Sequence, residues 1–146
     1  MHPLIVESYA AITEVIAATR RIAVLGIKTE EQAGQPAFDV PAYLVQAGYD
    51  IVPVPVYYPD VTTILGKPVV RRIVDAAPVD MVNVFRRPRD LAAHLDDILA
   101  AKPKFVWLQL GIRDDGFAEA LAAAGITVVQ DRCLLVEVRA RRSGAS

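Results

Sequence analysis

The residues of this chain best suited to chemistry form two basic clusters that fit phosphate binding. Gly26 permits a tight backbone turn and a close approach to a ligand, and Lys28 and Thr29 follow it with a positive charge and a hydroxyl donor. Arg86 and Arg87 add guanidinium groups, which bind phosphate oxygens through paired donors. These residue types predict an anion site. The plain alternative is a strand-ending glycine, a solvated lysine and a surface arginine pair bonded to Asp90.

The first of these clusters does not carry the dinucleotide fingerprint. An NAD site needs the pattern G-x-G-x-x-G at the first turn and a carboxylate after the second strand. After Gly26 the next glycine is Gly34, and Pro53, Pro55 and Tyr57 stand where the carboxylate belongs. The loop is also long, at about 11–13 residues against the usual 2–6. We therefore predict a nucleotide site that is not an NAD site.

Groups for catalysis or metal binding are sparse, and we predict no catalytic residue and no metal site. A serine triad is implausible because the serines lie near the chain ends, at Ser8, Ser143 and Ser146. His94 falls within a predicted helix, where a surface or partly packed role is commoner than that of a base. Cys133 has no second cysteine for a tetrahedral metal site. It is either a reactive thiol or a small buried residue, and both interpretations stay open.

Alternating strands and helices position these residues. Short apolar segments predict five buried strands, at residues 21–25, 50–55, 79–85, 104–110 and 126–129. Helical spacing of apolar residues predicts helices before and between them, one starting near residue 38. We predict a Rossmann-like doubly wound α/β fold, with helices on both faces of a parallel sheet in the order 3-2-1-4-5. The ligand crevice then lies at the carboxyl ends of the strands, beside the switch between strands 1 and 4.

The composition favours one domain that folds without a disulfide or metal. The chain has 146 residues, 53% of them apolar, and one cysteine, which suits a reducing cytoplasm. Its 16 Lys and Arg balance 17 Asp and Glu, so we expect no nucleic-acid partner. No apolar run reaches the ~18–20 residues that span a bilayer, so we expect a cytoplasmic protein without a membrane partner. We predict a single domain over residues 1–138 and a disordered basic tail over residues 139–146.

Three longer stretches carry a family resemblance. They are residues 79–88 (VDMVNVFRRP), 106–111 (VWLQLG) and 128–133 (VVQDRC), which are specific in combination. Through them the chain resembles the small single-domain CoA-binding proteins and, more distantly, the N-terminal CoA-binding domain of the succinyl-CoA synthetase α subunit. The resemblance covers about residues 8 to 138.

The resemblance implies a Rossmann-like domain that holds coenzyme A across the strand ends. It places the pyrophosphate by the first loop, the adenosine by the end of the second strand, and the rest of the channel by the third and fourth strand ends. Glu30 and Glu31 are a departure, because they would repel phosphate if they pointed inward. The implied binding residues are Gly26, Ile27, Lys28, Thr29, Val54, Pro55, Val56, Tyr57, Phe85, Arg86, Arg87, Pro88, Gln109, Leu110 and Gly111.

Three functions are compatible with the sequence. The first is non-catalytic binding of CoA or an acyl-CoA by a carrier, sensor or partner-recruiting module. The second is an enzyme that acts on a CoA thioester or another nucleotide, and the third is an interaction domain with a degenerate pocket. Apolar residues of the first helical segment, Ile5 and Tyr9, either bury against a second copy or pack on their own sheet. Besides the nucleotide ligand, the expected partner is a second copy of the chain or an unidentified protein.

Overall fold

A computed structural model of the protein describes residues 1–144. Its strands are β1 (Arg21–Leu25), β2 (Asp50–Val54), β3 (Thr63–Ile64), β4 (Lys67–Pro68), β5 (Met81–Val84), β6 (Phe105–Leu108) and β7 (Thr127–Val129). Its α-helices are α1 (Tyr9–Ala17), α2 (Pro36–Gln46), α3 (Leu95–Ala101), α4 (Asp115–Ala123) and α5 (Leu134–Gly144). Short 3-10 helices cover Glu30–Gln32, Ile73–Ala76 and Pro88–His94.

The main sheet has five parallel strands and buries both of its faces. Alternate side chains of the strands point to opposite faces. Leu25, Val84 and Val106 pack on the face that α3 and α4 cover, and Val24 and Trp107 pack on the face that α1, α2 and α5 cover. The predicted Rossmann-like α/β class, with five parallel strands and helices on both faces, is therefore confirmed.

The order of the strands differs from the predicted 3-2-1-4-5. The observed order is β2-β1-β5-β6-β7, so the third parallel strand pairs with β1 and not with β2. Pro53 explains the difference. The carbonyl of Pro53 faces away from β1 and accepts a hydrogen bond from Val70 N at 3.0 Å, and proline has no N–H for a neighbouring ladder on that side. Pro53 therefore makes β2 an edge strand, and the order switch falls between β1 and β5.

The C-terminal segment is helical where we expected disorder. α5 continues to Gly144, because the side chains of its last turns have partners on neighbouring elements. Arg141 donates to Glu137 at 2.9 Å and to Thr13 at 2.8 Å, and Arg142 donates to the Ala47 carbonyl at 2.8 Å. The predicted tail is thus wrong for residues 139–144, and its last two residues lie outside the described part of the chain.

The N-terminal segment follows one of the two alternatives left open for it. Ile5 forms a parallel bridge with Val128 and is half-buried against the main core, so it packs on its own sheet. Tyr9 remains exposed, with the guanidinium carbon of Arg141 4.1 Å from its ring centroid. Across residues 1–144, no helix is long and apolar enough to cross a membrane.

Candidate functional site

A cavity of about 330 Å³ lies at the carboxyl ends of β1, β5 and β6, at the order switch of the sheet. It brings together eight of the predicted site residues: Lys28, Phe85, Arg86, Arg87, Pro88, Gln109, Leu110 and Gly111. Sequence reasoning missed four lining residues: Gln35, Pro36, Ala37 and Ile112. The remaining predicted residues do not line it: Gly26, Ile27, Thr29, Val54, Pro55, Val56 and Tyr57.

Gly26 lies behind the residues that line the cavity and allows them to approach the end of β1 closely. Its φ is +84°, a conformation that side chains disfavour, and a Cβ at this position would lie 2.4 Å from the Phe85 carbonyl oxygen and 3.2 Å from Arg86 Cδ. Its N–H donates to the Val54 carbonyl at 2.9 Å. The glycine therefore lets the ends of three strands meet, and it supports the arginine without contacting the cavity itself.

The loop after β1 is fixed to α2 by a backbone hydrogen bond. Pro41 lies inside α2 and has no N–H, so the carbonyl of Ala37 lacks its usual helical donor. The Lys28 N–H occupies that carbonyl at 3.1 Å, and the Lys28 ammonium bonds the Gln35 side chain at the rim of the cavity. The start of α2 thus holds Lys28 in place.

The first turn of α2 also lines the cavity. We expected this helix to start near residue 38, and it starts at Pro36, where proline's fixed φ and missing N–H suit the first helical position. The Asp39 carboxylate accepts a hydrogen bond from Gly34 N at 2.9 Å and closes the preceding turn. The helix therefore presents its positive N-terminal end to the cavity through Pro36 and Ala37.

Thr29 and Glu30 turn away from the cavity. The Thr29 side chain is buried, and its hydroxyl donates to Gln32 Oε1 at 2.6 Å. The same oxygen accepts from Thr29 N at 3.0 Å, within the capping box of the 3-10 turn that follows. The Glu30 carboxylate accepts from Leu65 N at 2.9 Å, which ties it to the β3–β4 hairpin. Glu30 and Glu31 line a separate depression of about 240 Å³. The sequence suggested that this acidic pair would repel a ligand phosphate if it pointed inward. Because both residues line the separate depression and not the cavity, this repulsion is reduced.

Arg86 is the most constrained cation at the cavity. Its Nε donates to His94 Nε2 at 3.1 Å, a terminal nitrogen lies 3.8 Å from the Asp90 carboxylate, and its guanidinium carbon lies 5.8 Å from the Tyr57 ring centroid. Arg87 is exposed and pairs with the same Asp90 carboxylate at 3.1 Å. The sequence alternative of an arginine pair bonded to a nearby acid is therefore present, and both arginines also line the cavity.

Arg71 holds the segment that carries Tyr57. Its guanidinium donates to four backbone carbonyls between residues 57 and 61, at 2.8 to 3.4 Å. Val54 and Pro55 are buried, whereas Val56 and Tyr57 are exposed beside the cavity. The end of β2 therefore meets the site through the Tyr57 ring over Arg86, whereas Val54 packs in the core.

His94 links the site to pH. Burial, followed by the positive charge of Arg86, lowers the His94 pKa below its ordinary 6.5, against the opposing effect of Asp97 and Asp90. The neutral ring accepts the Arg86 hydrogen bond, whereas the protonated ring cannot. The unfolded chain binds this proton more readily than the folded chain. The contribution of neutral His94 to the free energy of unfolding is therefore fully present above pH 6.5, and it is lost as pH falls towards the lowered pKa.

We expect His94→Gln to flatten this pH dependence, because glutamine retains an acceptor oxygen for Arg86 and does not titrate. The free energy of unfolding from urea denaturation, measured between pH 7.5 and 5, should fall more steeply in the parent than in the variant. Parallel curves for the two proteins would show that the Arg86–His94 bond does not depend on the ring's proton.

Gln109 and Gly111 form the uncharged side of the cavity. Gln109 is almost fully buried, and its Oε1 accepts hydrogen bonds from Leu134 N at 3.3 Å and from Asn83 Nδ2 at 3.4 Å. Gly111 N donates to the Asp131 carboxylate at 2.7 Å, which fixes the loop after β6. This end of the site is therefore rigid and carries no cation.

Two other cavities are less suited to an anionic ligand. One, of about 450 Å³, adjoins the site across Leu110 and includes the half-buried Cys133, with acidic and basic residues mixed around it. The other, of about 480 Å³, lies at the opposite end of the sheet beside Arg20 and Arg142. There the C-terminal ends of α1 and α2 present carbonyl groups, which disfavour an anion.

A parallel sheet with helices on both faces and a cavity at the order switch defines a Rossmann-like domain. The chain belongs to the CoA binding domain family, whose model matches residues 20–139. It is 31% identical to the uncharacterized protein YneT of Bacillus subtilis (strain 168) over 130 residues, which cover 88% of this chain and 93% of YneT.

Solved structures share the fold. Cell-free ID.343 from Thermus thermophilus is 39% identical, with a TM-score of 0.82 over 92% of this chain and 98% of that one. A hypothetical protein from Pyrococcus horikoshii OT3 is 23% identical, with a TM-score of 0.79 over 92% of each chain. The dinucleotide-forming acetyl-coenzyme A synthetase 1 of Ca. Korarchaeum cryptofilum is 16% identical, with a TM-score of 0.65 over 79% of this chain and 26% of that one. The two lower identities indicate the fold alone.

Proposed function

We propose that the protein binds coenzyme A or an acyl-CoA in this cavity without catalysing a reaction, as a carrier, sensor or partner-recruiting module. The observation that carries the proposal is the division of the cavity into a basic side and an uncharged side. The ends of β1 and β5 contribute Lys28, Arg86 and Arg87, whereas the end of β6 contributes residues without charge.

The basic side suits the phosphates of the ligand. Lysine and arginine bind phosphate oxygens through charge-assisted hydrogen bonds, and the N-terminal end of α2 adds a positive dipole through Ala37. The uncharged side, with Leu110 and Ile112, suits the pantetheine arm, which has no charge. A ligand with phosphates at one end and a neutral chain at the other matches both sides, and membership of the CoA binding domain family supports the same ligand.

The non-catalytic role rests on the residues at the cavity. Its lining has no serine, cysteine or histidine, and its charged groups are the three cations. General acid–base work at neutral pH most often uses histidine or a carboxylate, and neither type lines the cavity. These cations are therefore suited to holding a ligand. A protein that releases its ligand unchanged fits a carrier or sensor.

Calorimetry with CoA, NADP and ATP tests the proposal, together with a denaturing mass spectrum of freshly purified protein for released CoA. We expect CoA to bind more tightly than the other two. Lys28→Glu should weaken CoA binding by about tenfold or more, since it removes a charge-assisted bond and adds repulsion. Lys67→Glu on the β3–β4 hairpin makes the same charge change away from the cavity and should leave affinity unchanged.

Three outcomes would contradict the proposal. If millimolar CoA produces no heat and no thermal shift while NADP or ATP binds, the ligand is another nucleotide. If none of the three binds, the cavity is degenerate and the protein is an interaction domain. If an acyl-CoA is consumed and the turnover disappears in Cys133→Ala, the protein is an enzyme.

A further inference from the structure

The amide of Gln109 has a fixed orientation at the cavity. Leu134 N is a backbone group that can only donate, and it lies 3.3 Å from Gln109 Oε1. Asn83 Nδ2 donates to the same oxygen at 3.4 Å, from a side chain with no solvent exposure. Turning the amide over would place its NH₂ group against these two donors, so the oxygen must point inward.

The amide nitrogen of Gln109 is therefore the polar atom of this side chain that remains for a ligand. Within residues 1–144, no protein acceptor receives a hydrogen bond from Gln109 Nε2. Among the described residues, the side-chain polar atom that is both fully buried and without a hydrogen-bond partner is Asn83 Oδ1. Gln109 Nε2 also has no protein partner, but it is not fully buried. Gln109 lines the cavity, so its unpartnered Nε2 is the group of this side chain that can donate to a bound ligand.

The surroundings indicate which kind of acceptor Nε2 takes. Leu110, Gly111 and Ile112 follow Gln109 and carry no charge, and the cations lie at the ends of β1 and β5. A phosphate is better held by those cations, because bonds to a charged donor are stronger than bonds to a neutral amide. A neutral amide in apolar surroundings instead suits a neutral carbonyl oxygen, which needs one donor when it leaves water.

We infer that Gln109 donates a hydrogen bond from Nε2 to an amide carbonyl of the pantetheine arm of CoA. This inference rests on the proposed function and adds the direction of the ligand. The nucleotide half lies against Lys28 and Arg86, and the pantetheine arm runs past the end of β6. Asn83 donates to Gln109 Oε1 and does not itself line the cavity.

Two substitutions of Gln109 separate donation from packing. Gln109→Glu retains an oxygen to accept from Leu134 N and Asn83, and at pH 8 it replaces the donor with an oxygen that cannot donate. Gln109→Met removes both polar atoms at similar size. Each variant is titrated calorimetrically with CoA and with adenosine 3′,5′-bisphosphate, the nucleotide half of CoA without its pantetheine arm.

We expect CoA affinity to fall by about three- to tenfold in Gln109→Met, the usual loss for one neutral hydrogen bond, and by more in Gln109→Glu. Affinity for the bisphosphate should stay unchanged in Gln109→Met. Gln130→Met supplies the control, because it removes another buried amide, bonded to Asp114 and Asp115, that does not line this cavity. It should alter stability without altering CoA affinity.

The outcomes distinguish this inference from the proposed function. If the parent binds CoA and both Gln109 variants bind it equally well, the donor role is wrong and the proposed function stands. If CoA and the bisphosphate lose affinity alike in Gln109→Met, the side chain contacts the nucleotide half and the assigned direction is wrong. If the parent does not bind CoA, the proposed function and this inference both fail.

Discussion

The Arg86→Glu variant is expected to bind CoA about 100-fold more weakly than the parent protein. The guanidinium lies over Tyr57 and is held by His94, so it is oriented before a ligand arrives. Glutamate removes a charge-assisted donor and puts a carboxylate in its place, within the same region as the Asp90 carboxylate. Loss of attraction and new repulsion both act on the phosphates.

Arg89→Glu is the matched control for this change. Arg89 is an exposed residue of the 3-10 helix that begins two residues after Arg86, and it does not line the cavity. The same reversal of charge there should alter CoA affinity only slightly, because exposed charges at a distance are screened by salt. Calorimetric titrations at one ionic strength compare the three proteins, and thermal unfolding checks that each is folded. Equal affinities for folded Arg86→Glu and the parent would remove Arg86 from the site.

The Gly26→Ala variant is expected to lose about 4 kcal/mol in its free energy of unfolding. Two effects add. A side chain at φ +84° is strained, and its Cβ would lie 2.4 Å from the Phe85 carbonyl oxygen, which belongs to the backbone and cannot rotate away. The ends of β1 and β5 must then move apart, and Arg86 moves with them. Urea denaturation at pH 7.5 measures the loss.

Gly125→Ala separates the two effects. Gly125 has a φ of +87°, and a Cβ there would meet nothing within 4 Å. Its replacement should therefore cost only the conformational strain, about 1–2 kcal/mol. The difference between the two alanine variants reports the contact with Phe85. If both variants lose the same stability, the close approach of the two strand ends does not constrain the fold.

The fold was largely predictable because its strands are short apolar runs separated by helical periodicity. What periodicity does not reveal is which strands are neighbours. The position of β2 at the edge depends on the hydrogen-bonding direction of Pro53, and that direction depends on register. The presence of prolines in the second strand was visible in the sequence, and treating them as a bar to pairing would have led to the observed order.

The candidate site was predictable in part, because residues just after parallel strands converge. Lys28, Arg86 and Gln109 meet for that reason. Thr29 was expected to serve the ligand, yet it forms a capping box with Gln32 at the start of a 3-10 turn. The Thr-x-x-Gln spacing is a known signal of a helix start, so this role was visible in the sequence and was overlooked. Pro36 was missed because the start of α2 was placed too late, although proline at the first helical position is a known signal.

The longest family stretch, residues 79–88, combines two roles that a sequence pattern cannot separate. Asp80 lies at its beginning, at the amino end of the sheet, and accepts hydrogen bonds from Arg20 N at 2.9 Å and Arg21 N at 3.0 Å. These bonds join β1 to β5 far from the cavity. Arg86 and Arg87 lie at its end and face the cavity. The beginning of the stretch therefore joins β1 to β5, and its end is available to a ligand.

The proline within α2 has a consequence for the thermodynamics of binding. By leaving the Ala37 carbonyl to Lys28 N, Pro41 makes the loop after β1 part of the folded framework. The conformational entropy of this loop is then lost when the chain folds and not when a ligand binds. A ligand meets a lysine that is already in place, and the association does not wait for the loop to order. A residue that interrupts helical hydrogen bonding thereby serves as the preorganising element of the binding loop.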